Sequence, residues 1–237
     1  MIKKYLLNIL KKIIILLNNK LRIKSQPLSP ADLYYEDVAK NSYESFKTFF
    51  NDAYIFSNDD SIRGFAINEA SKKFNKDNLF LEFGVFKGDS INLFAKKLNK
   101  INAEIIGFDS FKGLKDEWMT EEFNPVGTFD LKGKKPRVEK NVKLIDGWIE
   151  DTLNQFLSNN TKKIAFVHFD LDTYESTSFV LKKIKDRLEP GTIILFDEFY
   201  GFPNWEKYEY KAFKEELNEN KFKYIAFGSR QACIKVI

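Results

Sequence analysis

From residue 78 onward, short and nearly continuous apolar runs alternate with amphipathic stretches. "LFLEFGV" precedes "DSINLFAKKLNK", and "AEIIGFDSF" leads into a long polar loop. "VKLIDGW" precedes "EDTLNQFLSN", "KIAFVHFD" precedes "YESTSFVLKKIKDRL", and "GTIILFDE" precedes "WEKYEYKAFKEELNEN". Brief apolar runs without alternation suit strands covered on both faces, and the intervening runs carry helical spacing. Strand–helix alternation of this kind predicts an α/β domain built on a mainly parallel sheet. The final stretch, "FKYIAFGSRQACIKVI", predicts two strands joined at Gly228–Ser229. Upstream, residues 31–75 read as helical pieces rich in Tyr and Phe. The clearest is 60–74, with Asp60 as its expected cap.

The first 24 residues behave differently. Ile2, Leu6, Ile9, Leu10, Ile13, Leu16 and Leu17 recur at roughly helical spacing with lysines between them. A bilayer span needs about 20 apolar residues, and this segment is too short and too charged for that. A basic start before an apolar run suits a signal peptide, but the sequence that follows, "NNKLRIKSQ", offers no small-residue cleavage site. Two readings stay open: a helix lying on anionic lipid, and a helix packed on its own domain or on a second copy. "SQPLSP", residues 25–30, reads as a linker. The expected organisation is a basic segment over 1–28 and one domain over 29–237. That domain divides into a helical cap (29–76) and a core (77–237).

Charge follows this division. Residues 1–24 hold seven Lys/Arg and no acid, whereas the rest holds 31 basic and 34 acidic residues. The net charge of +4 is therefore a property of the tail. It gives no support to a nucleic-acid partner. The single cysteine, Cys233, excludes an intrachain disulfide or a cysteine-based zinc site. It fits a reducing, cytoplasmic compartment, with membrane contact through residues 1–24 left open. One histidine, His168, excludes a multi-histidine metal site. Any metal must be held by carboxylates and carbonyls, which favours a hard divalent ion.

In open α/β sheets, ligands sit beyond the carboxyl ends of the strands. The predicted strands end in Glu82-Phe83-Gly84, Asp109, Asp146, Asp170 and Asp197-Glu198. A random solvated surface would not gather acids so regularly at one edge, and a phosphate site would be repelled by them. The edge suits a cation, hydroxyl groups, or both. "EFGVFKGDS" puts Gly84 and Gly88 between a strand and a helix, where glycine permits tight turns and close approach. Neither the G-x-G-x-x-G fingerprint nor the P-loop ending is present. Asp109 follows Gly84 by 25 residues at the end of the next strand, where an acid can accept from ribose hydroxyls.

The joint pattern "LEFGVFKGDS…IIGFDSFKGL…DGWIEDTL…FDLDTYEST…LEPGTIILFDEFYG" resembles the S-adenosylmethionine-dependent O-methyltransferases of the macrocin O-methyltransferase type over roughly 78–210. The resemblance implies a class I methyltransferase Rossmann-like fold with a seven-stranded sheet whose last strand is antiparallel. It also implies a sugar hydroxyl as acceptor and a divalent metal, usually Mg²⁺. By position, Glu82, Gly84, Val85 and Gly88 would hold the methionine part of the cofactor. Asp109 and Ser110 would hold the ribose, and Asp146, Gly147 and Trp148 would flank the adenine. Asp170, Asp197 and Glu198 would bind metal. Relatives usually carry two aspartates at the last pair, so Glu198 is a departure. A phenol-methylating relative typically has a lysine three residues after the first aspartate, where this chain has Thr173.

The remaining readings concern single residues. Asp170 is the candidate base for the acceptor proton. His168 reads first as a hydrogen-bonded histidine within the sheet and second as a base or substrate contact. Asp172, with Glu175 three residues on, reads first as a helix cap and second as a site contact. The loop 111–140 is long enough to be a lid or binding segment. Trp118, Phe123 and Phe129 in it, and Trp205 beyond, are candidate acceptor contacts. A homo-oligomer, a phenolic acceptor and a non-catalytic nucleoside-binding scaffold stay open beside the leading reading.

Overall fold

The computed structural model describes residues 10–12 and 28–237. The lipid-facing and self-packing readings of the first 24 residues fall largely outside this range. No described helix is long and apolar enough to cross a membrane. The chain divides into two compact units, residues 1–37 and 38–237.

Helix α1 spans Pro30–Phe50. Its first turn is closed reciprocally. Asp32 N donates to Ser29 Oγ at 3.2 Å, and Ser29 N donates to Asp32 Oδ2 at 2.9 Å. That is a capping box with aspartate in the usual glutamate place. A two-residue strand, β1 (Tyr54–Ile55), precedes α2 (Asp59–Lys73). The cap of α2 is Asn58, not Asp60: Asn58 Oδ1 accepts from Ser61 N at 2.9 Å. Asp60 instead sits one residue inside the helix, in its first turn, where its charge favours the helix dipole.

The core follows as β2 (Leu79–Phe83), α3 (Asp89–Leu98), β3 (Ile105–Asp109), a ribbon of β4 (Trp118–Met119) and β5 (Phe123–Asn124), β6 (Val142–Asp146) and α4 (Ile149–Asn159). It continues with β7 (Ile164–Phe169), α5 (Tyr174–Ile184), β8 (Ile193–Phe196), α6 (Glu209–Glu216), β9 (Phe222–Phe227) and β10 (Ala232–Val236). The sheet order is β1-β9-β10-β8-β7-β2-β3-β6. β10 runs antiparallel to both neighbours and the other pairs are parallel. This is the expected seven-stranded sheet, with β1 added at one edge.

The pleat divides the core. Leu81, Phe83, Val167, Phe169, Ile194 and Phe196 pack on the α4–α6 side with Leu153, Leu181 and Phe213. Phe80, Phe166, Ile193 and Leu195 pack on the α2–α3 side with Ile62, Ile67, Phe94 and Leu98. All these side chains are essentially buried, and each contributes about 1.5–3 kcal/mol relative to exposure. Register places Glu82 beside His168, and His168 beside Leu195. With side chains alternating along each strand, Glu82 and His168 therefore share the α2–α3 face.

The direction in which successive strands are added to the sheet reverses between the parallel neighbours β2 and β7. From β2 the chain builds outward to β3 and β6, then crosses to β7 and β8 on the other side. A crevice opens at such a switch point.

Candidate active site

The ladder bonds continue one residue past each strand and pin the edge where the acids stand. Gly84 N donates to Phe108 O (3.0 Å), Asp170 N to Phe83 O (2.9 Å) and Asp197 N to Phe169 O (3.0 Å). Gly84 has φ +86°, and a Cβ there would lie 1.8 Å from the Asp170 carbonyl oxygen. Only glycine lets the ends of β2 and β7 meet. Asp109 then organises the turn that follows. Its Oδ2 accepts from Val85 N (2.8 Å) and Phe86 N (2.7 Å), and its Oδ1 accepts from Phe111 N (2.6 Å).

A cleft of about 230 Å³ opens over this edge. Gly84, Val85 and Phe86 line it from the first turn, and Phe108, Asp109 and Ser110 from β3 and its end. Gly113, Leu114, Lys115, Trp118 and Phe129 contribute from the long loop, and Trp148, Ile149 and Glu150 from the start of α4. The acidic wall is Asp170, Leu171, Asp172, Thr173 and Ser176, with Asp197 and Glu198. Phe86 and Asp172 hold left-handed backbone at φ +46° and +61°. Such strain in non-glycine residues gathers at functional sites.

Other expected site residues stand away from the cleft wall. Gly88 caps α3 with φ +85°. Asp146 is exposed and pairs with Lys135 at 3.3 Å, and Gly147 N donates to Asp109 O at 3.1 Å. Glu82 is fully buried beneath the wall. Its Oε1 accepts from Ser90 Oγ and lies 2.9 Å from His168 Nδ1. The other ring nitrogen, Nε2, lies 3.2 Å from Asp197 Oδ1. That same Asp197 oxygen accepts from Arg63 Nη2 at 2.7 Å and from Gln231 Nε2.

His168 is thus a hydrogen-bonded histidine within the sheet, with a carboxylate on each side. Burial alone would lower its pKa, but the bonds to Asp197 and Glu82 outweigh that and raise it to about 10. Burial likewise pushes the Asp197 carboxyl up. The His168 bond and the Arg63 charge reverse this and hold it below the usual range.

Among the described residues, the outer carboxylates lack such partners. Asp170, Asp172 and Glu198 offer oxygens that converge within 4.8 Å of one another. Burial, then repulsion from Asp197, raises Asp170 and Glu198 well above their ordinary values. The same two causes, with Asp109, bring Asp172 to about 7. An all-oxygen, mutually repelling set of this kind fits a hard divalent cation.

Several expectations are corrected. Asp172 is not a helix cap: the cap position of α5 is Thr173, which makes no side-chain capping bond. The left-handed backbone at Asp172 turns its carboxylate into the cleft wall instead. Trp205 is 3% exposed and packs on Phe46 and Tyr210, so it is a core residue. Trp118 and Phe129 do line the cleft, whereas Phe123 is solvent-facing. Arg63, Gln231 and Lys115 were absent from the sequence-based set. Lys115 Nζ pairs with Glu150 at 3.2 Å and lies 5.8 Å from the Trp148 ring centroid. Arg63 had one signal, a charge next to the buried stripe Ile62, Ala66, Ile67 and Ala70.

Comparison with known proteins bears on this arrangement. The chain is 26% identical over 139 residues to the 8-demethyl-8-(2,3-dimethoxy-alpha-L-rhamnosyl)-tetracenomycin-C 4'-O-methyltransferase of Streptomyces olivaceus, covering 50% of this chain and 52% of that protein. The chain thus spans about half the length of this curated relative. Among solved structures, calicheamicin methyltransferase CalS11 is similar at a TM-score of 0.60 and 22% identity, over 90% of this chain and 97% of that one. A second structure of CalS11, described as TDP-rhamnose 3'-O-methyltransferase, is similar at 0.56 and 23%, over 89% and 96%. These likenesses agree with a class I Rossmann-like fold. Residues 81–199, from the middle of β2 to just past the acidic pair, match the family described as Methyltransferase domain, and the chain belongs to that family.

Proposed function

We propose that this chain transfers a methyl group from S-adenosylmethionine to a hydroxyl of a sugar. The observation that carries the reading is that one cleft holds both the Gly84 turn with Asp109 and the acidic wall of Asp170, Asp172 and Glu198. Donor and acceptor would meet there. The tetracenomycin relative and CalS11 are both named for methylation of a rhamnosyl group, which supports a deoxysugar acceptor, free as a nucleotide or attached to a larger product.

The residues divide the task. An ionised carboxylate has roughly four acceptor sites, and backbone N–H groups take three at Asp109. One site remains for a ribose hydroxyl. Val85 and Ser110 would complete the donor's bed, with Trp148 against the adenine. Trp118 and Phe129 would cover the sugar and exclude water. Transfer forms an oxygen–carbon bond at the acceptor and breaks the sulfur–carbon bond of the donor, leaving S-adenosylhomocysteine. The acceptor's proton passes to Asp170, a general base at the meeting point. A divalent cation, Mg²⁺ by family resemblance, would be held by the acidic wall and would supply Lewis-acid polarisation and a template for two neighbouring hydroxyls.

Calorimetry with S-adenosylmethionine, with and without Mg²⁺, tests the reading. Saturable binding is expected, followed by a methyl mass increase on rhamnosyl nucleotides or glycosides. No binding under either condition would favour a scaffold and overturn the proposal.

A further inference from the structure

The family resemblance points to Asp170, Asp197 and Glu198 as metal ligands, but the side chains divide otherwise. One oxygen of Asp197 takes donors from three separate elements: Arg63 on α2, His168 on β7, and Gln231 just before β10. A guanidinium 2.7 Å from that oxygen repels a dication placed beside it. Asp172 is the opposite case. It is only 8% exposed, lies on the cleft wall, and its carboxylate has no hydrogen-bond partner among the described residues. Its oxygen converges with those of Asp170 and Glu198 within 4.8 Å. A second converging set, Glu82, His168 and Asp170, is discounted because Glu82 and His168 are bonded to each other.

We infer that the cation of this cleft is held by Asp170, Asp172 and Glu198, and that Asp197 is an anchor rather than a ligand. Arg63, His168 and Gln231 fix Asp197, and through its backbone they fix the adjacent Glu198. The inference rests on the cation of the proposed methyl transfer, but its test does not depend on turnover.

The test titrates the full chain with Mn²⁺ alone and follows free Mn²⁺ by electron paramagnetic resonance. Asparagine adopts left-handed backbone readily, so Asp172→Asn keeps its φ of +61° without new strain. A thermal melt checks the fold of each variant. Asp172→Asn and Asp170→Asn are expected to weaken Mn²⁺ binding by more than roughly 100-fold, and Asp197→Asn, which acts through Glu198, by roughly 10- to 100-fold. A loss in Asp197→Asn equal to or larger than that in Asp172→Asn overturns the assignment. Calorimetry with S-adenosylmethionine runs in parallel. A wild-type chain that binds the donor but not Mn²⁺ overturns this inference and leaves the methyl-transfer reading standing. One that binds Mn²⁺ but not the donor supports the site and overturns that reading.

Discussion

Two groups of acids share the carboxyl edge of one sheet and solve the problem of burial in opposite ways. Inside, Glu82 and Asp197 are tied to His168, Arg63, Ser90 and Gln231. Outside, Asp170, Asp172 and Glu198 face one another, with no side-chain hydrogen bonds among the described residues. A buried charge is tolerable when paired and expensive when alone. The inner group therefore holds the sheet edge together, and the outer group stores repulsion that a ligand can relieve. Strain of that second kind is what functional sites retain at the expense of stability.

The comparison breaks most visibly if the two groups respond alike to neutralisation. Asp170→Asn should lower methyl transfer by roughly 10²–10⁴-fold, the range for a general base. Its thermal midpoint should hold or rise, because a repelling charge is gone. Turnover near wild-type with the cation still bound would remove Asp170 from the base role. His168→Phe should do the reverse to stability. It leaves Glu82 buried with Ser90 as its donor but without its ion-pair partner, and losing one side of a buried pair costs about 3–5 kcal/mol. Urea unfolding measures this, and a loss under about 1 kcal/mol would mean that the inner group is not structural.

A smaller effect sharpens the same contrast through pH. His168 binds its proton more tightly when folded, at about 10 against an ordinary 6.5. Its contribution is complete below about pH 6.5 and declines as pH rises through 10. The wild-type melting midpoint should therefore fall between pH 7 and 10 more steeply than that of His168→Phe. Parallel curves would contradict the assignment. The least effect belongs to Glu209→Gln. Glu209 is fully buried, accepts from Glu198 N at 3.1 Å, and has no partner for its Oε1 among the described residues. Burial, then repulsion from Asp197, pushes its carboxyl well up. Glutamine keeps the acceptor and resembles the neutral acid, so stability should change by less than about 1 kcal/mol.

The outer edge was largely legible in the chain, because apolar runs locate strands and the residue closing each run is read directly. Asp109, Asp170 and Glu198 were found that way, as was Gly84. Asp172 was misread because its place depends on one left-handed dihedral that the "Asp-Thr-Tyr-Glu" spacing does not encode. The inner group was legible only in part: His168 was read as a hydrogen-bonded histidine within the sheet, but its bonds to Glu82 and Asp197, and the further donors Arg63 and Gln231, were not foreseen. Arg63 stands 134 residues from Asp197, and Gln231 34 residues from it. Only the folded sheet brings them together. The cap of α2 was missed by two residues because Asn58 and Asp60 are equally good caps by residue type. The helical stretch rich in Tyr and Phe enters the core at Phe46, which has six aromatic partners within 5.8 Å. Nothing in the sequence separated Trp205, which joins that cluster, from Trp118, which reaches the cleft.

The central claim is that this cleft passes a methyl group to a sugar hydroxyl. The direct measurement uses S-adenosylmethionine carrying an isotopic methyl label, the full chain and Mg²⁺, with sugar nucleotides and oligosaccharides as acceptors and mass spectrometry as readout. The account predicts labelled methyl on an acceptor hydroxyl, S-adenosylhomocysteine in equal amount, and loss of both in Asp170→Asn. Donor bound tightly but label never transferred to any sugar, with transfer to a phenolic acceptor instead, would contradict it.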